Sequence, residues 1–551
     1  KLNPRLCVQG QHMDRDRFRS YADTMRFSFV KVMAAIRAAY GNVTPAKLYD
    51  FQFDIRNFFQ STCVEHNPDV PTLYTRQAPG FEEYGPNGEE MVYEILVAMQ
   101  GRIDAMRLSN LNLRRVLLDT GVIRRCLHEP NAFEYHYGPT AGTAASLTDI
   151  LLSSYRAGST PSKTPPVGWA VFGLHVDDGI GVASSVEVAE FIASLVEGTS
   201  CVSSSVTGYT VVMHRWRKLV GFDAKVVDHG SYTTVSLSAT GTIEALAAEH
   251  LADVGLYAPK HVVPSNLNDL TPGVAPSVDS VEYEPFLAMQ EKCASLNGTF
   301  IWLQQVYVQL TQPSNALSAC AASFSHEHYR VARHMLMHLV AHPDPLTFGG
   351  PGCNSLEFTG SAVPSIAAPD SDTAVENGLY AMVDSNLATP RTTSPLRPGT
   401  KSITGVTIML ARACLEGIAQ RQHLSAPCIH TGEMVAAGTA TQRLLTFRGL
   451  MQEMHIAQVR PSPLHIDSLS SVFAANDEAS VRKSIWMIRR AVVVQEAVLL
   501  KEIDAIKITD EDNLADVMTK YTKYSKWRRT INILLNVGVS APPLSLARPS
   551  V

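Results

Sequence analysis

Apolar positions in this chain gather in short runs, and several runs lead into or enclose an acid. Ala170–Leu174 and Ile180–Ala183 are two of them, with Asp177-Asp178-Gly179 between. Their length and flanking turn residues predict strands. Asp-Asp-Gly predicts a β-hairpin with both acids at its tip. Phe51-Gln52-Phe53-Asp54-Ile55-Arg56-Asn57-Phe58-Phe59 predicts another strand, with Asp54 in its middle and Phe58 and Phe59 on opposite faces. Leu379–Val383 alternates up to Asp384, and Leu464-His465-Ile466 ends in Asp467. Between these two, Leu444, Phe447, Met451 and Met454 form the buried stripe of a long helix, opened by Thr431-Gly432-Glu433. Phe27–Tyr40, Ser185–Leu195 and Thr242–Gly255 read as helices, and Asn513–Lys520 begins the last one.

Breaks in the pattern divide the chain. Gly138–Gly168 is rich in Gly, Ser, Thr and Pro and reads as an inserted loop, with a short helix over Leu147–Tyr155. Leu256–Tyr283 holds four prolines and is the best domain break. Pro364–Asn377 reads as a linker. His334, His338 and His342 fall four apart on one helix face, which invites a metal reading. No carboxylate or cysteine completes a ligand set, so a plain helix is the better reading.

Composition narrows the class. At 551 residues the chain accommodates three or more domains with ample cores. Charged residues at 18% and hydrophobic ones at 45% indicate a globular protein rather than a disordered one. The net charge of −5 argues against a generally basic nucleic-acid binder, although it leaves room for a local basic channel. The nine cysteines are scattered without Cys-x-x-Cys, so neither a zinc site nor a disulfide framework is indicated. Reduced thiols in an intracellular protein fit this usage. No apolar run reaches transmembrane length and no signal peptide opens the chain, so no membrane partner is expected. A chain that starts at Lys1 reads as a processed or trimmed piece of something longer.

The acids carry the chemistry. Two adjacent carboxylates at a hairpin tip repel each other, and a divalent cation resolves this, because hard oxygens suit Mg²⁺ and Mn²⁺. The alternative is a solvated turn. Asp54 inside a strand is costly unless paired or metal-bound.

A strand-embedded Asp followed far downstream by Val-Asp-Asp in a hairpin resembles the palm of reverse transcriptases, and in particular the Pol protein of copia-type LTR retrotransposons. That family has an aromatic five residues after the first Asp, here Phe59, and Tyr-Val-Asp-Asp, here with His175 for Tyr. Asn3–Gly10 resembles the start of the fingers, which makes Arg5 a candidate triphosphate contact. Met99–Arg107 resembles Leu-Tyr-Gly-Leu-Lys-Gln-Ser-Pro-Arg, with Asp104 in place of Gln, and makes Gln100 a candidate nucleotide or template contact. Ala78–Phe81 matches a Pro-Gly turn of the family, and Lys218–Phe222 resembles the strand that grips the primer end.

Farther on, Asp384, Glu433, Asp467 and Asp516 resemble the Asp-Glu-Asp-Asp set of ribonuclease H, in the same order and on the same elements. Each acid alone is an ordinary strand-end or helix-start charge, the latter favoured by the helix dipole. Ser402–Gly405 and Leu514–Lys520 match copia motifs, while Ser468 and Ser484 depart from the usual Asn and His.

The resemblance implies an α+β right-hand polymerase (fingers, palm, thumb) over 1–255. A connection region over 256–376, a ribonuclease H-like mixed-sheet α/β domain over 377–525 and a tail over 526–551 follow. It implies two Mg²⁺ or Mn²⁺ ions per active site, about 4 Å apart. Asp54, Asp177 and Asp178 hold one pair, and Asp384, Glu433, Asp467 and Asp516 the other. Implied partners are an RNA template, a DNA primer, an RNA–DNA hybrid and deoxynucleoside triphosphates, with a homodimer or association with other Pol products left open. The implied compartment is a cytoplasmic virus-like particle, with the nucleus as the alternative. The rival reading is a domesticated or decayed copy, catalytically silent, that binds nucleic acid or serves as a scaffold. The acidic balance and the changes at His175, Asp104 and Ser484 favour it; the seven intact acids oppose it.

Overall fold

The computed structural model describes residues 24–41, 48–64, 70, 72–77, 82–100, 102–137, 165–197, 208–255, 257–264, 272–353, 356, 378–387, 401–423, 426, 428–456, 458–476 and 485–537. Arg5, the Ala78–Phe81 turn, the Leu147–Tyr155 segment, the Pro364–Asn377 linker and Ser484 lie outside the described residues. The architecture is mixed α+β with several sheets. It forms two compact units, Lys1–Met33 with Ala46–Trp216, and Ala34–Pro45 with Arg217–Val551. This line falls at Trp216/Arg217, whereas the expected domain boundary lies at 255.

The first unit is built on β1 (Tyr49–Arg56), the short pair β2 (Tyr74–Arg76) and β3 (Val92–Glu94), β4 (Ile123–Arg125), β5 (Ala132–Tyr137), β6 (Gly168–His175), β7 (Asp178–Ala183) and β8 (Thr210–His214). Six of these form an antiparallel sheet in the order β4-β5-β6-β7-β1-β8. Alternation along β1 puts Phe51, Phe53 and Ile55 on the core face, all at most 1% exposed. Their register partners on β7 explain a pattern in the sequence. Phe51 lies opposite Gly181 and Phe53 opposite Gly179. A Cβ at Gly179 would sit 2.0 Å from the Phe53 ring, and one at Gly181 would sit 2.5 Å from Phe51. The two glycines let the rings lie across the strand. The helix Ala105–Asp119 adds Leu113 and Leu117 to this core, and the helix Val186–Val196 adds Val188, Ile192 and Val196. Ser185 caps the latter, accepting from Val188 N at 3.4 Å.

The second unit holds β9 (Lys218–Leu219), β10 (Phe222–Asp228), β11 (Thr233–Ser238) and β12 (Leu346–Gly349), ordered β12-β11-β10-β9. The segment Lys218–Phe222, expected as one strand, is a hairpin. Val220 and Gly221 turn it with φ of 49° and 90°, the double positive φ of a tight two-residue turn. The helices Tyr283–Leu303 and His326–Ala341 pack beside each other in the same unit.

A five-stranded mixed sheet completes this unit: β13 (Tyr380–Asn386), β14 (Ile403–Leu410), β15 (Ala413–Arg421), β16 (Ser462–Ile466) and β17 (Ile503–Lys507). Its order is β15-β14-β13-β16-β17, antiparallel through β13 and parallel beyond it. The helix Ile429–Glu453 lies on this sheet and buries Leu444, Phe447 and Met451, the stripe its spacing predicts. The helix begins at Ile429, two residues before the expected start. Asp516 opens only a single turn, Asp516–Thr519. The last helix is Tyr524–Leu535, so the expected boundary at 525/526 falls inside a helix that buries Trp527, Ile531, Leu534 and Leu535.

Candidate functional site

The chain assembles two acid centres, one in each compact unit. In the first, the β6–β7 hairpin turns through Val176-Asp177, with His175 paired to Asp178. Asp177 is therefore a turn residue, while Asp178 is the first residue of β7. Val176 has φ of 58°. A β-branched residue is strained there, where a tight hairpin of this kind favours glycine. The backbone N of Ile55 on β1 donates to Asp177 O at 2.9 Å, which fixes the turn against the central strand. The same register places Asp54 opposite Asp178.

Asp54, Gln52 and Asp178 share the face opposite the phenylalanine rings. Gln52 Nε2 lies 3.4 Å from Asp178 Oδ1. Burial first, then the charge of Asp54, pushes the Asp177 carboxyl up, against its backbone hydrogen bond. Burial also raises Asp178, with Asp177 and Asp54 adding to it and Gln52 pulling back. Acids that resist ionisation in this way favour a cation beside them.

A third carboxylate on β1 has a different use. Asp50 is buried and accepts from Arg215 Nε at 2.9 Å, from Arg215 Nη2 and from Trp216 N at 3.2 Å. This clamp ties β1 to the chain after β8. The partner is 165 residues away, so no local pattern announced it.

The two candidate nucleotide contacts that are described lie near β1 and before the helix Ala105–Asp119. Phe58 and Phe59 sit in the turn after β1, past Asn57 with φ of 54°. The strand alternation expected to separate their faces does not apply there. Burial separates them instead. Phe58 is 3% exposed and stacks on Tyr209 at 6.0 Å between centroids, while Phe59 is half-buried. Gln100 is half-buried in a turn closed by Arg102 N donating to Met99 O at 3.1 Å. Asp104, which departs from the family pattern, forms a buried ion pair with Arg102 at 2.6 Å.

The second centre gathers acids from four elements of the five-stranded sheet and its surroundings. Asp384 sits on the central strand β13, Glu433 near the start of the long helix, Asp467 just after β16, and Asp516 at the head of its single turn. Among the described residues, two acid groups bring ligand oxygens within 4.8 Å of one another. One is Asp384, Glu433 and Asp467; the other is Asp467, Asp510 and Asp516. Asp510 is a carboxylate that the sequence reading missed. The trio Asp54, Asp177 and Asp178 does not reach this closeness.

Hydrogen bonds hold these acids in place. Ser385 N donates to Glu433 Oε1 at 3.0 Å. Thr519 Oγ1 donates to Asp384 Oδ2. Asn513 Nδ2 donates to Val383 O at 2.8 Å and to Asp467 Oδ2 at 3.2 Å, so one side chain joins β13 to the acid after β16. Glu433 is 3% exposed, and its Oε2 has no hydrogen-bond partner. Burial pushes the Glu433 carboxyl up to about 9, with Asp467 and Asp384 adding to it. Burial and then Asp516 push Asp384 up to about 6, while Lys520 and Thr519 pull back. Burial raises Asp467 as well. Crowded hard oxygens, one of them buried and unpartnered, fit Mg²⁺ or Mn²⁺.

The histidine column on His326–Ala341 is structural. His334 Nε2 lies 3.0 Å from His261 O, and His338 Nδ1 lies 2.8 Å from Pro259 O. His338 also meets Trp527 edge-on at 5.3 Å between centroids. These rings fasten the 257–264 loop and the last helix to the histidine helix.

A comparison with family models gives no match, and a comparison with curated proteins gives none. Among solved structures, the chain is similar to a foamy viral protease-reverse transcriptase in complex with an RNA/DNA hybrid. Identity is 10% and the TM-score 0.25, over 90% of this chain and 69% of that one. It is also similar to the native Prototype Foamy Virus protease-reverse transcriptase, at 10% identity and a TM-score of 0.19, over 79% of this chain and 71% of that one. Both likenesses are distant.

Proposed function

We propose that the chain is a divalent-metal-dependent enzyme of nucleic acid, an RNA-directed DNA polymerase with ribonuclease H activity, of the copia retrotransposon type. The observation that carries this reading is the meeting of Asp384, Glu433 and Asp467, from three elements distant in sequence, with Glu433 Oε2 buried and unpartnered. Two buried acids and a half-buried one, crowded together without a cation, are unfavourable, and a metal site accounts for them. Asp54 opposite Asp178, with Asp177 in the adjoining turn, supports the polymerase half.

Metal bound at these acids supplies charge against phosphate oxygens and a more acidic water or 3′-hydroxyl. The protein's own contribution is placement. In the polymerase centre, the β1–β7 ladder fixes Asp54 and Asp178 on one face, and Phe59 stands by the incoming sugar. In the nuclease centre, Asn513, Ser385 and Thr519 hold Asp467, Glu433 and Asp384 at fixed angles for attack on the RNA strand of a hybrid. Such a hybrid is read by shape and 2′-hydroxyl contacts rather than by base edges. The fingers, palm and thumb, the connection region and the nuclease domain belong to this proposal, as does a cytoplasmic particle as the compartment.

The test is primed DNA synthesis on an RNA template, with and without Mg²⁺, beside cleavage of a labelled hybrid. Metal-dependent synthesis and cleavage are expected. Hybrid binding without either activity would replace this reading with the scaffold one.

A further inference from the structure

The two acid groups of the second centre share Asp467 but differ in what already touches them. Lys520 Nζ lies 2.9 Å from Asp516 Oδ1, 3.6 Å from Asp384 Oδ1 and 3.8 Å from Asp510 Oδ1. Lys526 Nζ lies 2.5 Å from Asp516 Oδ2 and 3.7 Å from Asp510 Oδ2. Both oxygens of the buried Asp516 therefore face an ammonium group, and Asp510 faces the same two. The other group is different. Glu433 Oε2 is buried without a partner, and Asp384 meets Lys520 only at the longer distance.

We propose that the ammonium groups of Lys520 and Lys526 fill the second cation position of this centre, so that it takes a single divalent ion, at Asp384, Glu433 and Asp467. The inference rests on the metal reading above and departs from the pair of ions that the resemblance implies.

Three features favour lysines that stay over lysines that are displaced. Lys526 is largely buried, and its Nζ also donates to Asp510 O, so the helix Tyr524–Leu535 delivers it in a fixed position. Lys520 directly follows the Asp516–Thr519 turn, and its backbone N donates to Asp516 O at 3.1 Å. Charge also balances there: Asp510 and Asp516 both face the same two ammonium groups. A divalent ion would have to expel both and leave two cations beside it, at a distance where like charges repel strongly. A fixed ammonium next to one ion can itself bind a phosphate oxygen of the RNA strand. It then supplies the second positive charge without a metal ligand shell.

The test counts ions in the whole protein, by equilibrium dialysis against Mn²⁺ with detection of bound Mn²⁺ by electron paramagnetic resonance. Because the polymerase acids also take up metal, variants are compared with the parent at equal free Mn²⁺. The Lys520→Gln/Lys526→Gln protein should bind one ion more than the parent, and Lys520→Arg/Lys526→Arg should match the parent. Asp384→Asn should bind one fewer. If Asp384→Asn loses an ion while the double glutamine variant matches the parent, the lysine assignment is overturned and the metal reading stands. If Asp384→Asn loses none, the metal reading of this centre falls, and the lysine assignment with it. Should the double variant fail to fold, Lys520→Gln alone replaces it, since that side chain is 38% exposed. It should bind Mn²⁺ at the vacated position about tenfold more tightly than the parent does, and an unchanged isotherm would count against the proposal.

Discussion

Asp54 and Asp178 are register partners across the β1–β7 ladder, so two carboxylates face each other on one side of the sheet. The other acid centre lies in the other compact unit. Asp178→Asn should lower DNA synthesis by about 10²-fold or more and leave hybrid cleavage in place, while Asp384→Asn should do the reverse. In metal-free buffer Asp178→Asn should melt no lower than the parent, because it removes a like-charge pair. Loss of both activities in either variant, with circular dichroism unchanged, would show that the centres are not separate.

Phe59→Val should admit ribonucleotides, because a ribose 2′-hydroxyl against the ring is stripped of water without a partner. Leaving a hydroxyl unpaired costs about 1–3 kcal/mol, or one to two decades in selectivity. Phe58→Val should instead lower stability by about 1–3 kcal/mol, because Phe58 is buried against Tyr209. The measurement is ribo- against deoxyribonucleotide incorporation on one primed template, with denaturant melts alongside. An unchanged ratio in Phe59→Val would make Phe59 a packing residue.

Stability should pass through a maximum in mildly acidic solution when metal is absent. Burial holds Glu433 near 9, against an ordinary value of 4.5. Its contribution is complete below about 4.5 and is lost as pH rises through about 9. Burial holds His338 and His261 near 4, against 6.5. Their contribution is present above about 6.5 and is lost as pH falls through about 4. Melting temperatures across this range should show both limbs. Glu433→Gln or added Mg²⁺ should flatten the alkaline limb, and His338→Gln should flatten the acid one. An alkaline limb that Mg²⁺ leaves untouched would separate Glu433 from metal binding.

Gly179→Ala should cost about 1–3 kcal/mol or more, since its Cβ meets the Phe53 ring. Phe53→Leu in the same chain should restore part of that loss. A double-mutant cycle reads the coupling directly, and additive losses would mean that the ring moves aside freely.

The strands beside the acids were legible because apolar runs bounded by Gly, Asp and Pro leave few alternatives. So was the helix carrying Glu433, through the spacing of Leu444, Phe447 and Met451. Contacts between residues far apart in the chain were not. The Arg215–Asp50 clamp and the two lysines on Asp516 depend on tertiary placement that no window of sequence contains. Asp510 is one of three successive acids, Asp510-Glu511-Asp512, and only the fold brings it to Asp467. The Asp177-Asp178 hairpin was legible as a hairpin but not in register, because Val176 takes the positive φ that Gly179 seemed to promise. Phe58 and Phe59 were assigned by strand alternation, which ends at Arg56.

Asn513 joins β13 to Asp467, and this gives the two centres different birth times on the ribosome. The residues of the first unit have all been synthesised once Trp216 has been added. The second centre stays open until the stretch from Asn513 to Lys526 emerges. A nascent chain would therefore hold the acids of its first centre for some three hundred further residues before it held a complete set for the second.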